Sequence, residues 1–261
     1  MYSDSMMSVP LLLIAGVFFI SFLLTMVGLG GGLVFSPLFV ILGMSKAQAA
    51  SASLFLNLTA AGSAASTYAR KGMVDFSLSI PLIVSSAVAA PFGAYLNAQI
   101  DTTSFMLAMA AVLALAGIRM LVVSNDKRAP ADTLKWKKIL GGAGIGAGIG
   151  VLAGLLGVGG GVFVVPLLIF LLKTPTKTAA ASSTFIVCFS SLTGFMGYVA
   201  QGGINWGFVL PAAAVSLLGG MAGARIMSTR MKGKNIRVLF SFVLFALCVR
   251  LLYQVFQGAA G

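Results

Sequence analysis

The chain has 261 residues, of which 59% are hydrophobic and only 8% are charged, against about 25% in soluble domains, so we expect a polytopic membrane protein without a separate soluble domain. Histidine and glutamate are absent, which excludes a Ser-His-Asp triad, a zinc site and a buried carboxylate relay; we expect no enzyme, catalytic residue, metal or cofactor. The formal net charge of +12 is scattered over short loops, which favours a role in membrane topology over nucleic-acid binding.

Ten apolar segments follow one another along the chain, and most have about the 20 residues that a membrane crossing needs. The second and seventh segments are short, and each follows a cluster of glycines. Residues 124–137 are polar and are predicted to form a cytoplasmic linker. The predicted segments are 9–27, 33–42, 47–68, 76–97, 103–123, 138–156, 162–172, 178–200, 206–226 and 238–256.

The two glycine clusters occupy residues 28–32 and 157–161, and each is followed at the same distance by a proline, Pro37 or Pro166. Glycine inside a helix costs roughly 1 kcal/mol relative to alanine, so four glycines in five positions predict a broken helix. Broken backbone is tolerated in lipid only where protein or a water-filled cavity covers it. Such breaks are typical of transporter binding sites.

The two halves of the chain repeat. The glycine clusters and their prolines coincide at an offset of 129, and Tyr68 with Tyr198 and Pro81 with Pro211 match at an offset of 130. These matches predict a duplication within a single transmembrane domain. Its parts are repeat one at 9–123, the linker at 124–137 and repeat two at 138–256.

Loop charges predict that the repeats have opposite topology. The loop after the third segment contains Arg70 and Lys71, whereas its counterpart at 201–203 is uncharged. Loop 99–103 has no lysine or arginine, whereas its counterpart at 227–237 is basic. Since basic loops stay in the cytoplasm, equivalent loops are expected on opposite sides of the membrane.

Opposite topology requires an odd number of crossings per half. The predicted fold is therefore an all-α membrane protein with two inverted repeats, each a re-entrant broken hairpin plus three transmembrane helices. Residues 9–42 as one straight helix would reach about 50 Å, against a core of roughly 30 Å. All 17 basic residues except Lys46 and Arg250 then lie near the cytoplasmic side, with both termini outside. Four crossings per half, with parallel repeats, is the competing model and fits the charges poorly.

A helix that restarts after each glycine cluster directs free backbone N–H groups and a positive dipole end at whatever precedes it. The functional interpretation is that two tips meet and bind one small anion; the alternative is close helix packing through small residues. The candidate tip residues are Gly30, Gly31, Gly32, Gly159, Gly160 and Gly161.

Polar side chains line the helix after each tip. Ser53 and Asn57 share one face of the third segment, and Ser182 and Ser183 lie on its counterpart. Their hydroxyl and amide groups can donate to sulfonate or carboxylate oxygens. Hydrogen bonding between helices, without any transport role, is the alternative.

Arg119 and Arg250 match at an offset of 131, near the ends of equivalent helices. The first interpretation is snorkelling of the guanidinium to the membrane interface. The second is an electrostatic role, in which the two charges draw anions toward the tips.

The doubled Gly-x-Gly-Gly-Gly motif at 28–32 and 157–161, with Pro37 and Pro166 and the Ala/Ser-rich helices that follow, resembles the sulfite exporter TauE/SafE family over residues 9–256. The resemblance implies transport of small sulfur oxyanions or organosulfonates, such as sulfite or sulfoacetate, across a bacterial inner membrane. The termini would then be periplasmic.

The expected function is secondary transport of such an anion by alternating access at the paired tips. Export is favoured because an inside-negative potential drives an anion outward by about 2.3 kcal/mol per charge per 100 mV. An anion channel of the same architecture and an uptake permease for sulfonates remain alternatives; a membrane enzyme and a non-transporting scaffold fit less well. The expected partners are the small anionic substrate and membrane lipid, and no nucleic acid is expected. The sequence does not decide between a monomer and a homodimer.

Overall fold

The computed structural model describes residues 3–29, 32–44, 46–97, 102–122, 135–156, 161–199, 204 and 206–259. These residues form ten α-helices and no strand, so the all-helical class is confirmed for the described part of the chain. The helices are α1 (Ser3–Val27), α2 (Gly32–Ile41), α3 (Lys46–Arg70), α4 (Phe76–Asn97), α5 (Thr102–Val122), α6 (Lys135–Leu156), α7 (Gly161–Phe170), α8 (Thr176–Val199), α9 (Trp206–Thr229) and α10 (Gly233–Ala259).

Several helices extend beyond the apolar segments that the sequence predicts. α1 begins at Ser3, α6 at Lys135 and α10 at Gly233, where the sequence is polar or basic. A helix satisfies its own backbone hydrogen bonds, so it can continue past its apolar part. The rest of the predicted linker, 124–134, lies outside the described residues.

The closest helix pairs join the first five helices to the last five. α1 packs on α9, α4 on α6, α3 on both α8 and α9, and α5 on α10, while the short helices α2 and α7 pack on α3 and α8 respectively. Each half therefore buries much of its surface against the other half.

Glycines allow two of these pairs to approach closely. On α9, Gly219 lies beside the carbonyl of Phe18 and Gly223 beside that of Phe22, so α1 and α9 run in the same direction. On α6, Gly142 and Gly146 lie beside the carbonyls of Leu78 and Leu82 on α4, again in parallel. Small residues at the interface are the usual basis of close packing between membrane helices.

The pair α3 and α8 is antiparallel. Leu54 contacts Gly194, Asn57 bonds Ser191, and Gly62 lies 3.6 Å from Cys188 as measured from an ideal Cβ, so residue numbers rise on one helix as they fall on the other.

α5 and α10 are also antiparallel. The carbonyl of Gly117 accepts from Ser241 and that of Ala110 accepts from Cys248.

Large apolar side chains remain exposed on the outside of the bundle, including Val88, Val122 and Phe242 at 70% or more. In the described part of the chain, two segments are long and apolar enough to cross a membrane, Thr176–Met196 in α8 and the whole of α9. Shorter apolar helical segments occur in α1, α4, α5 and α6. An apolar outer surface of this kind suits contact with lipid.

Gly219→Ala should destabilise the bundle. The new methyl carbon would lie 2.6 Å from the carbonyl oxygen of Phe18, so α1 and α9 would have to separate, at a cost of about 1–3 kcal/mol. Thermal unfolding of the detergent-solubilised protein measures the loss. Gly16→Ala on α1 is the control, because nothing lies within 4 Å of a Cβ there, and its stability should not fall. Equal unfolding temperatures for both variants would contradict this packing.

Candidate functional site

The first glycine cluster begins where α1 ends. Gly28 has a φ of +87°, a left-handed conformation that glycine adopts without strain. Its N–H donates to the carbonyl of Thr25 and the N–H of Leu29 to that of Leu24, at 3.3 and 3.0 Å. These two bonds form a Schellman motif, which satisfies the last carbonyls of the helix and ends it at a defined residue.

Gly28 lies directly against α8. An ideal Cβ on this residue would lie 2.6 Å from the carbonyl oxygen of Ala180 and 2.8 Å from its Cα, so no larger residue fits. The hydroxyl of Ser183 donates to the carbonyl of Gly28 at 2.7 Å, and both groups are buried. The structure thus joins the first glycine break to one of the predicted polar side chains of the opposite half.

A buried polar network continues from this contact along α1. The hydroxyl of Tyr68 donates to the carbonyl of Thr25 at 2.9 Å. One turn further from the break, the hydroxyls of Ser21 and Ser216 lie 2.7 Å apart, and Ser216 donates to the carbonyl of Leu56 at 2.8 Å. The network therefore links α1 to α3 and α9. Sequence reasoning did not identify Ser21, Thr25 or Ser216, although Ser21 and Thr25 are polar residues one turn apart in an apolar helix.

The other predicted polar residues lie in different surroundings. Asn57 donates to the hydroxyl of Ser191 at 2.7 Å, across the contact between α3 and α8. The hydroxyl of Ser182 accepts from the N–H of Asp75 at 3.0 Å, just before α4. Ser53 is buried on α3. Ser183 bonds Gly28 of the first glycine cluster, whereas Ser182, its neighbour on the helix, faces another direction and bonds Asp75.

Most of the two tips falls outside the described residues. This applies to Gly30, Gly31, Gly159 and Gly160 and to the start of the second cluster. Gly32 and Gly161 are the first residues of α2 and α7. Both short helices therefore begin at the end of a glycine cluster, which is where the sequence predicts that a helix restarts.

The two matched arginines are both exposed, on α5 and α10. The guanidinium of Arg119 lies over the ring of Phe170, 5.4 Å from its centroid, which ties α5 to the end of α7. Neither arginine is in contact with Gly28. Their placement suits the first interpretation, in which the charged heads stay at the surface of the bundle.

Arg237 is the buried cation that sequence reasoning missed. It lies one turn into α10, is 5% exposed, and donates to the hydroxyl of Thr176 at 3.2 Å. The sequence interpretation counted it among the loop charges because α10 was expected to begin at Val238. The described residues contain no group of three or more His, Cys, Asp or Glu side chains that could hold a metal.

Comparison with known proteins gives a consistent family match. The model of a family described as "Sulfite exporter TauE/SafE" matches residues 12–251. The chain is 26% identical to the "Probable membrane transporter protein YunE" of Bacillus subtilis, over 88% of this chain and 92% of the relative.

Two further organisms carry similar proteins. The chain is 23% identical to a "Probable membrane transporter protein" of Xylella fastidiosa, over 90% of this chain and 92% of the relative. It is 24% identical to the "Probable membrane transporter protein MJ0441" of Methanocaldococcus jannaschii, over 92% and 94% respectively. No solved structure matches the chain.

The Asn57–Ser191 hydrogen bond should couple α3 to α8 energetically. A double-mutant cycle with Asn57→Ala and Ser191→Ala should give a coupling of about 0.6–1.7 kcal/mol in unfolding free energy, the range for hydrogen bonds between membrane helices. The control cycle combines Asn57→Ala with Ser190→Ala. It should give no coupling energy, because the hydroxyl of Ser190 donates to the carbonyl of Val187 on its own helix. Additive effects of Asn57→Ala and Ser191→Ala would rule the contact out.

Proposed function

This chain belongs to the sulfite exporter TauE/SafE family of membrane transporters, and from that premise we propose that it carries a small anion, sulfite or an organosulfonate such as sulfoacetate, out of the cell by alternating access. The anion binds between the two glycine tips, where backbone N–H groups at the starts of α2 and α7 donate to its oxygens. The hydroxyls of Ser53 and Ser183 and the amide of Asn57 lie on the helices that support the tips.

The observation that carries this proposal is the contact of Gly28 with α8. The backbone breaks at Gly28, inside the bundle, against Ala180 and Ser183 of the other half. Irregular backbone at membrane depth is stable only where protein or a water-filled cavity covers it, and it marks the substrate site in many secondary transporters. A break that served packing alone would not need the new helix that begins at Gly32, at the end of the same glycine cluster.

The helix crossings support the proposed inverted repeat. The antiparallel helices α3 and α8 cross between the Asn57–Ser191 contact and the Gly62–Cys188 contact. The crossing point is therefore near Thr59 on α3 and Phe189 on α8. Those two residues are 130 apart, which is the repeat offset in this part of the sequence. Two helices related by a two-fold axis cross it at equivalent residues and run in opposite directions.

The crossing of α5 with α10 has the same property. The crossing point lies between the Gly117–Ser241 contact and the Ala110–Cys248 contact, near Ala114 on α5 and Phe245 on α10. These two residues are 131 apart. The proposed repeat relates α1 to α6 and α9 to α4. It therefore converts the parallel pair α1–α9 into the parallel pair α6–α4. These crossings favour inverted repeats over parallel ones.

Export is the proposed direction because the membrane potential supplies the driving force. A singly charged anion gains about 2.3 kcal/mol per 100 mV on moving out of a cell that is negative inside. No membrane-buried carboxylate is needed to couple this movement to a cation, in keeping with a chain that has no glutamate.

Purified protein in liposomes should transport sulfite or sulfoacetate in preference to chloride, with sulfate and taurine as further comparisons. The flux should saturate with substrate and increase with a potential that is negative on the substrate side. Gly31→Leu or Gly160→Leu should abolish it, because the side chain would fill the proposed tip.

Gly144→Leu is the matched control for the tip substitutions, because nothing lies within 4 Å of a Cβ at that glycine on α6, and this variant should keep its flux. Full flux in the two tip variants would contradict the tip site. Single-channel currents would favour the channel alternative, and transport of none of the five solutes would overturn the proposal.

Cysteine labelling tests the inverted topology. Lys71→Cys and Gln201→Cys, each in a variant without Cys188 and Cys248, should react with a membrane-impermeant reagent from opposite sides, because they occupy equivalent loops of the two repeats. Labelling in intact spheroplasts and in inverted vesicles measures the side. Reaction of both positions from the same side would support parallel repeats instead.

A further inference from the structure

Two lysines from opposite halves of the chain converge on one serine. The ammonium of Lys71, at the end of α3, donates to the hydroxyl of Ser228 at 2.7 Å. The ammonium of Lys177, in the first turn of α8, donates to the backbone carbonyl of the same residue at 3.3 Å. Ser228 lies in the last turn of α9, so three helices meet here.

The backbones of the two lysines are held in place by their helix ends. Lys71 precedes Gly72, whose φ of +63° and N–H bond to the carbonyl of Ala69 close the end of α3. Lys177 lies within the helical turn that is closed by the hydrogen bond from the N–H of Ala179 to the carbonyl of Pro175. The backbone positions of the two lysines are therefore fixed by helix ends, with Lys71 in the turn that follows α3 and Lys177 in the first turn of α8.

Charge at this end of the bundle is unbalanced. An ammonium has three N–H donors, and each lysine uses one of them on Ser228. Among the described residues, neither lysine forms an ion pair with a carboxylate. Arg225, in the last turns of α9, and Arg230, just after the helix, are exposed cations. The two ammonium groups that bond Ser228 repel each other, and an anion bound between them would offset that repulsion.

We propose that Lys71 and Lys177, which meet at Ser228, form an oxyanion site at this end of the bundle. The ligand is a tetrahedral or pyramidal oxyanion, such as phosphate, sulfite or the phosphate of an anionic lipid, with two oxygens that accept from the two ammonium groups. The start of α8 adds the positive end of a helix dipole. This site is separate from the glycine tips, and the proposal does not depend on which anion the tips carry.

The site lies directly over the contact that ends α1. Met227, next to Ser228, packs in one buried cluster with Ala180 and Ala181, which follow Lys177 on α8. Ala180 is the residue against which Gly28 lies. A soluble oxyanion held by the two lysines would therefore be bound about one helical turn from the first glycine break.

The test measures binding without transport. Detergent-purified protein free of anionic lipid is titrated with sodium sulfite and with sodium phosphate by calorimetry. The paired change Lys71→Ala with Lys177→Ala should weaken binding on the order of tenfold, since two exposed charge contacts are lost. Lys71→Arg with Lys177→Arg should retain binding.

The control removes the same charge from the same end of the protein. Lys232→Ala with Lys234→Ala deletes two exposed cations that take no part in the Ser228 contacts and should leave binding unchanged. Equal weakening of anion binding in both double variants would show that the anion responds to the overall positive charge, and would overturn the proposed site. Unchanged binding in the variant with Lys71→Ala and Lys177→Ala would also overturn it.

A second arm identifies the source of the anion. The same proteins are incubated with phosphatidylcholine vesicles with or without phosphatidylglycerol, and bound lipid is counted after extraction. Loss of phosphatidylglycerol retention in the alanine pair, without binding of the soluble anions, would assign the site to a lipid phosphate. Binding of neither ligand by the unmodified protein would overturn the proposal, whereas a loss of flux at the tips would not affect it.

Discussion

Gly28 can lie against the backbone of Ala180 because it has no side chain, and the arrangement around it follows from that approach. The close contact brings the carbonyl of Gly28 within reach of the Ser183 hydroxyl, so the chain can break inside an apolar bundle without leaving that carbonyl unsatisfied. In the described part of the chain, every buried side-chain nitrogen or oxygen has a hydrogen-bond partner. Serine and threonine hydroxyls provide many of those partners.

The two halves depend on each other for their packing. α1 belongs to the first half, yet its polar residues Ser21 and Thr25 face α9 of the second half. α4 is likewise covered by α6, and α3 by α8. The hydrogen bonds of Ser21 and Thr25 with α9 thus add polar contacts to the apolar packing that joins the two halves.

Helix positions could be predicted from the sequence because they depend on local apolar length, and α4 runs over the predicted 76–97. The partners of the polar side chains could not. Ser182 and Ser183 are adjacent, but a helix turns by about 100° per residue, so one bonds Asp75 and the other Gly28. Arg237 was missed for a related reason: counting cations in loops gives topology and says nothing about which of them packs inward.

The Ser21–Ser216 hydrogen bond joins residues 195 positions apart. At a translation rate of about 5–20 residues per second, α9 leaves the ribosome roughly 10–40 s after α1. Throughout that interval the hydroxyl of Ser21 lacks its native partner on α9. Until α9 is present, the Ser21 hydroxyl needs another acceptor, such as a carbonyl of its own helix, so the polar contact between α1 and α9 forms late in the synthesis of the chain.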